Sequence, residues 1–324
     1  MKSLCVSLGK DTKHASYSTP GAALLVSAPG GDKEYVTNNV VAKPGGGCHD
    51  IGWGTSYAAP AVTGVIALML EANGDLGWRD VQGILVETSR QIDQTDDSWT
   101  KNGAGKHQSN FYGFGLVDAH AAVTAAESWK NVGPERQVLR HKEKINLAIP
   151  DDSSKTTNSA LKISGHGGMV VKSVVVSLDL IHSSRGDLKI VLTSPQGTES
   201  ILHPGKRKEN TQLQGEARWK LTTVRNWGEK PDGLWTLSIV DERQSEAANT
   251  SILKSWAMIV YGHARNSGTA YKEHSTVLSS VVRCLFWRQP RANRMSEGRT
   301  YRAEIFFLQL CPPKSARDET LERT

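Results

Sequence analysis

The stretch at 56–73 constrains this chain more than any other. It sets Val62, Val65, Ile66, Leu68, Met69 and Leu70 among alanines and a glycine, so small or apolar residues occupy every side of a 3.6-residue helix. A helix apolar all round belongs inside a larger body rather than on its surface. The fold must therefore cover this segment on more than one face. Asn73-Gly74 ends it, both residues tolerating the left-handed cap conformation. Positions 78–88 predict a second helix, with Val81, Ile84, Leu85 and Thr88 on one face. Positions 118–129 predict an alanine-rich third, opening on Asp118, whose charge suits a helix N-terminus. Ahead of these lie the loops Tyr17-Ser18-Thr19-Pro20-Gly21 and Ala28-Pro29-Gly30-Gly31-Asp32, with a short strand at 22–26 between them and a flexible connection at 44–47.

From about 132 the period changes from helical to two. Positions 170–180, 187–192, 234–240 and 255–261 alternate or run apolar with β-branched residues, and turns such as Ser194-Pro195-Gln196-Gly197 separate them. Short strands at this spacing, with no helical pattern between, predict an antiparallel β-sandwich. Three segments follow: 1–131, an α/β unit; 132–263, an all-β unit; and 264–324, a tail without periodicity. The tail carries 11 Lys and Arg against 6 Asp and Glu, nearly all of the chain's net charge of +6. Its composition predicts disorder.

That distribution leaves the folded body close to neutral and argues against a nucleic-acid partner, which needs a basic face on a folded domain. No run of eighteen or more apolar residues is present, so no membrane segment is expected. The first ten residues lack the small-residue cleavage site of a signal peptide. Cys5, Cys48, Cys284 and Cys311 form no CxxC pair; a zinc site is not expected, and the simpler expectation is four free or locally buried thiols. His166, His182 and His203 lack metal-ligand spacing and are expected to be solvated or hydrogen-bonded. Arg185-Gly186-Asp187 could be read as an integrin motif, but three residues carry little information, and a turn whose arginine and aspartate pair locally is the plainer expectation. Asn249-Thr250-Ser251 is a glycosylation sequon, usable only in a secreted protein.

The chemistry concentrates at Gly54-Thr55-Ser56-Tyr57-Ala58-Ala59-Pro60. This places Ser56 at a helix N-terminus, where free backbone N–H groups and the dipole favour negative charge. The Ser56 amide is then a suitable donor to the oxyanion of an acyl intermediate. Gly54, with Thr55 in the substrate cleft, leaves room for a substrate backbone, and Pro60 is expected in the first turn, where its missing N–H costs least. Read from chemistry alone, Ser56 is either this nucleophile or only a helix cap.

Gly54 to Pro60, followed by Val62, Gly64, Val65, Ala67, Leu68, Glu71, Ala72 and Asn73, resembles the serine motif of the subtilase family. Trp78-Arg79-Asp80-Val81-Gln82 and Tyr112-Gly113-Phe114-Gly115-Leu116-Val117-Asp118-Ala119 are similar to the kexin and furin group in particular. Ala15-Ser16-Tyr17-Ser18 and Ser27-Ala28-Pro29-Gly30 resemble segments that line the substrate cleft. Arg185-Gly186-Asp187-Leu188, Ser194-Pro195-Gln196-Gly197-Thr198, Trp227-Gly228-Glu229, Gly233-Leu234-Trp235 and Ser255-Trp256 resemble the P domain of that group. The resemblance implies the C-terminal part of a subtilisin-like catalytic domain, a parallel sheet with buried helices, followed by a jelly-roll-like P domain.

It also implies a serine endopeptidase of the secretory pathway or extracellular space, cutting polypeptides after basic residues, with Ser56 as nucleophile. Calcium is implied as well, though no ligand or other metal residue can be assigned. A histidine and an aspartate earlier in such a chain complete the triad, and an asparagine supplies the second oxyanion donor. Asp11, His14, Asp32, His49 and Asp50 precede Ser56, but none stands in the Asp-Ser-Gly or His-Gly-Thr setting of the family. His14 is expected as a surface histidine, and His49 and Asp50 as cleft-lining or structural. The triad is incomplete, so the chain is expected to be inactive alone, and with most of the parallel strands missing apolar surface is expected to be left open over Val62 to Leu70 of the helix. The alternatives are a non-catalytic binding or scaffolding protein built on the P domain, and a pseudoprotease regulator.

Overall fold

Thr55–Ala72 forms an 18-residue helix, α1. It meets the sequence expectation to within a residue, yet only one of its faces is covered. The computed structural model describes residues 5–8, 12–32, 40–42, 45–50, 52–205, 213–214, 219–243 and 251–264. Ala58, Val62, Val65 and Met69, spaced one helical row apart, are its buried residues. They face a parallel pair of strands, β1 (Cys5–Leu8) and β2 (Val26–Pro29), and a helix from later in the chain. Ala59, Pro60, Ala61 and Leu68 lie on the open side. The expectation of burial on all sides is corrected. That of an exposed apolar surface is met. α1 is also, among the described residues, the one helix whose length and composition would let it cross a membrane, although no such segment was expected; here its inner row packs into a protein core.

Two further strand pairs are small hairpins: β3 (Val40–Ala42) with β4 (Cys48–Asp50), and β5 (Thr100–Lys101) with β6 (His107–Gln108). The strand expected at 22–26 begins instead at Val26 and runs into Pro29, because Ala22 and Ala23 turn. Helix α2 (Trp78–Thr88) keeps its expected limits, and Asp80 accepts from the Gly77 amide across its first turn. Helix α3 (Ala119–Glu127) starts after Asp118, whose carboxylate accepts from the Ala121 N–H at 2.9 Å. That N-cap contact satisfies an otherwise orphaned donor. Asn73 closes α1 in an extended conformation, φ −146°, rather than a left-handed one. Its side chain explains why: Nδ2 donates to Ala126 of α3 and Oδ1 accepts from Asp75.

The rest of the chain forms two antiparallel sheets. In the first, β10 (Met169–His182) is central, flanked by β16 (Ile252–Ala264) and by β13 (Leu213–Gln214) and β14 (Trp219–Thr223), with β7 (Glu135–Lys142) and β8 (Leu147–Ala148) on β16. The second runs β12 (Glu199–Pro204), β11 (Leu188–Thr193), β15 (Gly233–Asp241), β9 (Thr157–Ile163). Inward residues of both sheets, including Val174, Val176, Leu178, Ile190, Leu192, Trp235, Leu237, Met258 and Val260, share one core. Such alternation is what two facing sheets require. The turn at 194–197 is closed by the Gly197 N–H on the Ser194 carbonyl.

A second core unites α1, α2 and α3 with β2, and it recruits Val224 and Trp227 from the segment after β14. Arg185–Asp187 is a single 3-10 turn. Asp187 pairs with Arg243 at 3.3 Å, and the Arg185 guanidinium lies 5.6 Å from the Trp219 ring centre. The pairing expected within the tripeptide gives way to a partner just past the end of β15 for Asp187 and to a β14 ring for Arg185. His182 and His203 are buried and hydrogen-bonded as expected, to Asp241 at 3.0 Å and to the Leu188 carbonyl at 2.6 Å. Cys48 is disulfide-bonded, which corrects the expectation of free thiols. Asn249 and the 264–324 tail beyond Ala264 lie outside the described residues.

Candidate active site

The approach to α1 is built from glycines. Gly52 has φ +91°, and a Cβ there would sit 2.0 Å from the Tyr57 hydroxyl, so both conformation and space require glycine. Gly54 is the N-cap with φ +148°, a conformation open to glycine, and its N–H donates to the Gly30 carbonyl at 2.8 Å. The Tyr17 hydroxyl donates to the Gly30 and Gly31 carbonyls, and the Trp53 ring lies 5.1 Å from that of Tyr17. Tyr17 and the loop after β2 thereby brace the backbone that presents Ser56. The sequence placed Tyr17 in a cleft-lining segment; its part as a brace had no local signal.

Thr55 is the first helical residue and Ser56 the second, and both are exposed. Gly54 makes no side-chain cap, and it, not Ser56, holds the cap position. The reading of Ser56 as merely a cap is thereby corrected. An amide at the second helical position has no intrahelical acceptor, so the Ser56 N–H points out of the helix start beside its own hydroxyl. Pro60 falls in the second turn, not the first. A proline there removes the donor that the carbonyl four residues earlier would otherwise meet, and that carbonyl belongs to Ser56.

Of the acids and histidines ahead of Ser56, His14 and Asp32 have described side chains, and each is engaged with other partners. Asp32 is buried and accepts from the Ser16 N–H and hydroxyl, both at 2.9 Å. His14 is half-buried rather than at the surface: its ring stacks on Phe111 at 4.4 Å, and its backbone N–H donates to the Tyr112 hydroxyl at 3.2 Å. That hydroxyl donates in turn to Asp93 at 2.7 Å, and burial with this bond raises the phenol well above its ordinary range. His49 and Asp50 lie on β4, with side chains outside the described set, as is Asp11. Among the described residues no three His, Cys, Asp or Glu side chains cluster as a metal site would need. None of the described residues forms a calcium-binding cluster.

Residues 6–115 match the subtilase family and residues 171–260 the proprotein convertase P-domain. Human proprotein convertase subtilisin/kexin type 6 is 39% identical over 235 residues, covering 71% of this chain and 24% of that protein. Furin-1 of Xenopus laevis is 37% identical over 239 residues, 72% of this chain and 29% of its own length. The chain thus spans about a quarter of the curated relatives it matches. The serine protease of Aeromonas sobria superposes with a TM-score of 0.70 over 80% of this chain and 57% of its own, at 23% identity, a likeness of fold. Across its subtilase and P-domain segments, this chain belongs to the kexin and furin-like group of the subtilase family.

Proposed function

We propose that the chain carries the nucleophile-bearing part of a serine endopeptidase that cuts polypeptides after basic residues in the secretory pathway or outside the cell. Residues 1–131 are then the C-terminal part of its catalytic domain, with β1 and β2 belonging to the parallel sheet, 132–263 a jelly-roll-like P domain, and 264–324 an appended tail. Ser56 attacks the peptide carbonyl through Oγ, its own amide donates to the developing oxyanion, and Gly54 and Thr55 border the substrate backbone. The observation that carries this reading is an exposed serine at the second position of α1, behind a glycine braced to the loop after β2.

The same reading makes the 324 residues inactive alone. Attack requires a base to take the hydroxyl proton, and His14 is held in a stack with Phe111 while Asp32 is committed to Ser16. Loss of the serine or the histidine of a subtilisin triad costs on the order of a millionfold in turnover. The purified chain is therefore expected neither to hydrolyse a fluorogenic peptide with a basic cleavage site nor to react with a fluorophosphonate. A longer chain that adds Asp-Ser-Gly and His-Gly-Thr segments upstream should label at Ser56 and lose the label in Ser56→Ala. Near-stoichiometric labelling of Ser56 in the present chain would overturn the incompleteness, and a longer chain that stays unlabelled would overturn the nucleophile.

A further inference from the structure

The outward face of the first sheet carries an aliphatic row. Leu139, Ile259 and Val175 pair in one line across β7, β16 and β10. Their strand neighbours Val138, Val260 and Val174 point into the core between the sheets, so this row faces away from it. Leu139 is 55% exposed, and Ile259 and Val175 are half-buried. Val175 also lines a cleft of about 230 Å³ against α2, together with Trp78, Arg79 and Lys172. Trp78 is 45% exposed there, and the Lys172 ammonium lies 4.1 Å from the Trp227 ring centre. None of the residues that build the Ser56 site belongs to this face. Exposed aliphatic and aromatic groups on one continuous surface mark a docking site.

The chain leaves the sheet beside this face. β16 ends at Ala264, five residues past Ile259 and two past Gly262, which lines the cleft. Sixty residues follow. The first strongly apolar run among them is Val281-Val282-Arg283-Cys284-Leu285-Phe286-Trp287. Sixteen residues link it to Ala264, a reach of up to about 50 Å, whereas Ile259 lies only about 17 Å back along the strand. A second apolar run, 305–310, is linked by forty residues. The longer loop lowers its effective concentration at the face about fourfold. Charge narrows the choice further. Lys172 lines the cleft, and Lys220 pairs with Ser177, two residues from Val175. These cations disfavour the stretch that holds Arg288, Arg291, Arg294, Arg299 and Arg302, while 281–287 carries a single charge.

We propose that the segment Val281 to Trp287 docks on this face, its apolar side chains against the Leu139–Ile259–Val175 row and the exposed Trp78. The tether makes the contact intramolecular, so a modest apolar burial holds it without a high concentration of any partner. Docking covers an aliphatic surface that is otherwise open to a second molecule.

The test is photo-cross-linking in the full chain. A p-benzoylphenylalanine placed at position 139 is irradiated, and the joined peptides are identified by mass spectrometry. The expected product has the mass of one chain and links position 139 to residues 281–287. The same probe at position 68, on the open side of α1, should capture that segment far less. As a second variant, Phe286→Asp combined with Trp287→Asp changes only the tail, and it should cut capture about tenfold or more. A product with the mass of two chains would assign the face to a second copy, and capture of 305–310 would assign it to the wrong segment; either overturns the proposal. So do equal capture from position 68, undiminished capture in the double variant, and no capture of the tail at all.

Discussion

Lys172 shows at the scale of one residue what folding does to a charge. In the unfolded chain its amine keeps its proton up to the ordinary value near 10.5, whereas burial in the fold lets it go near 8. Between those limits the unfolded state binds more protons, so stability rises with pH across that window. Tyr112 acts the other way only above about pH 10: its phenol keeps in the fold a proton that the unfolded chain would lose. In chloride buffer the urea midpoint should therefore climb between pH 8 and 9.5, and Lys172→Met should flatten the climb. A wild-type midpoint that is level over this range would contradict the assignment. The sequence shows a lysine in a period-two strand and nothing of this, because Trp227 reaches it from another segment. Ser56 is the opposite case. Its place at the start of α1 was legible because glycine, apolar spacing and helix phase are all local.

α1 sets the lesson at the scale of the element. Met69 is fully buried and Leu68, its neighbour in sequence, is 44% exposed. Met69→Ala should cost about 2–5 kcal/mol, whereas Leu68→Ala should stay within about 0.5 kcal/mol, both read by urea unfolding. Equal costs would mean that something covers the outer row. The apolar pattern of 56–73 records a helix fit for cover on several faces, and periodicity cannot say whether cover is present. The β-strands were more legible, since one residue in two must face the partner sheet and the alternation is written along each strand. The short strands were less so: β1 and β2 are four residues each, and their pairing is between segments some twenty residues apart.

Across the whole molecule, the helical part and the sheets are joined by buried polar contacts. Asn102 donates through Nδ2 to the Arg225 and Trp227 carbonyls, both at 2.9 Å. The Gly103 amide donates to Glu229, which also accepts from Thr198 and Asn226. Arg225 reaches back to Thr100 and Asn110, and burial lowers its guanidinium to about 10. Asn102→Ala strands two buried carbonyls and should cost about 1–3 kcal/mol per unmet group. The measurement is Tm together with limited proteolysis, which should open the 99–110 segment first. Unchanged Tm and cleavage would show that the junction does not depend on this side chain.

The sequence by itself determined the three helices, the period-two strands, the order of helical and β segments and the position of Ser56 on α1. These follow from spacing, caps and motifs within a few residues of one another. Only the tertiary structure decided that one face of α1 is covered, that Cys48 is disulfide-bonded, that Asp187 pairs with Arg243, and that Lys172 shares a cleft with Arg79. The cover of α1, the Asp187–Arg243 pair and the shared cleft each depend on a partner far along the chain, brought near by the burial of apolar surface, which no local pattern encodes.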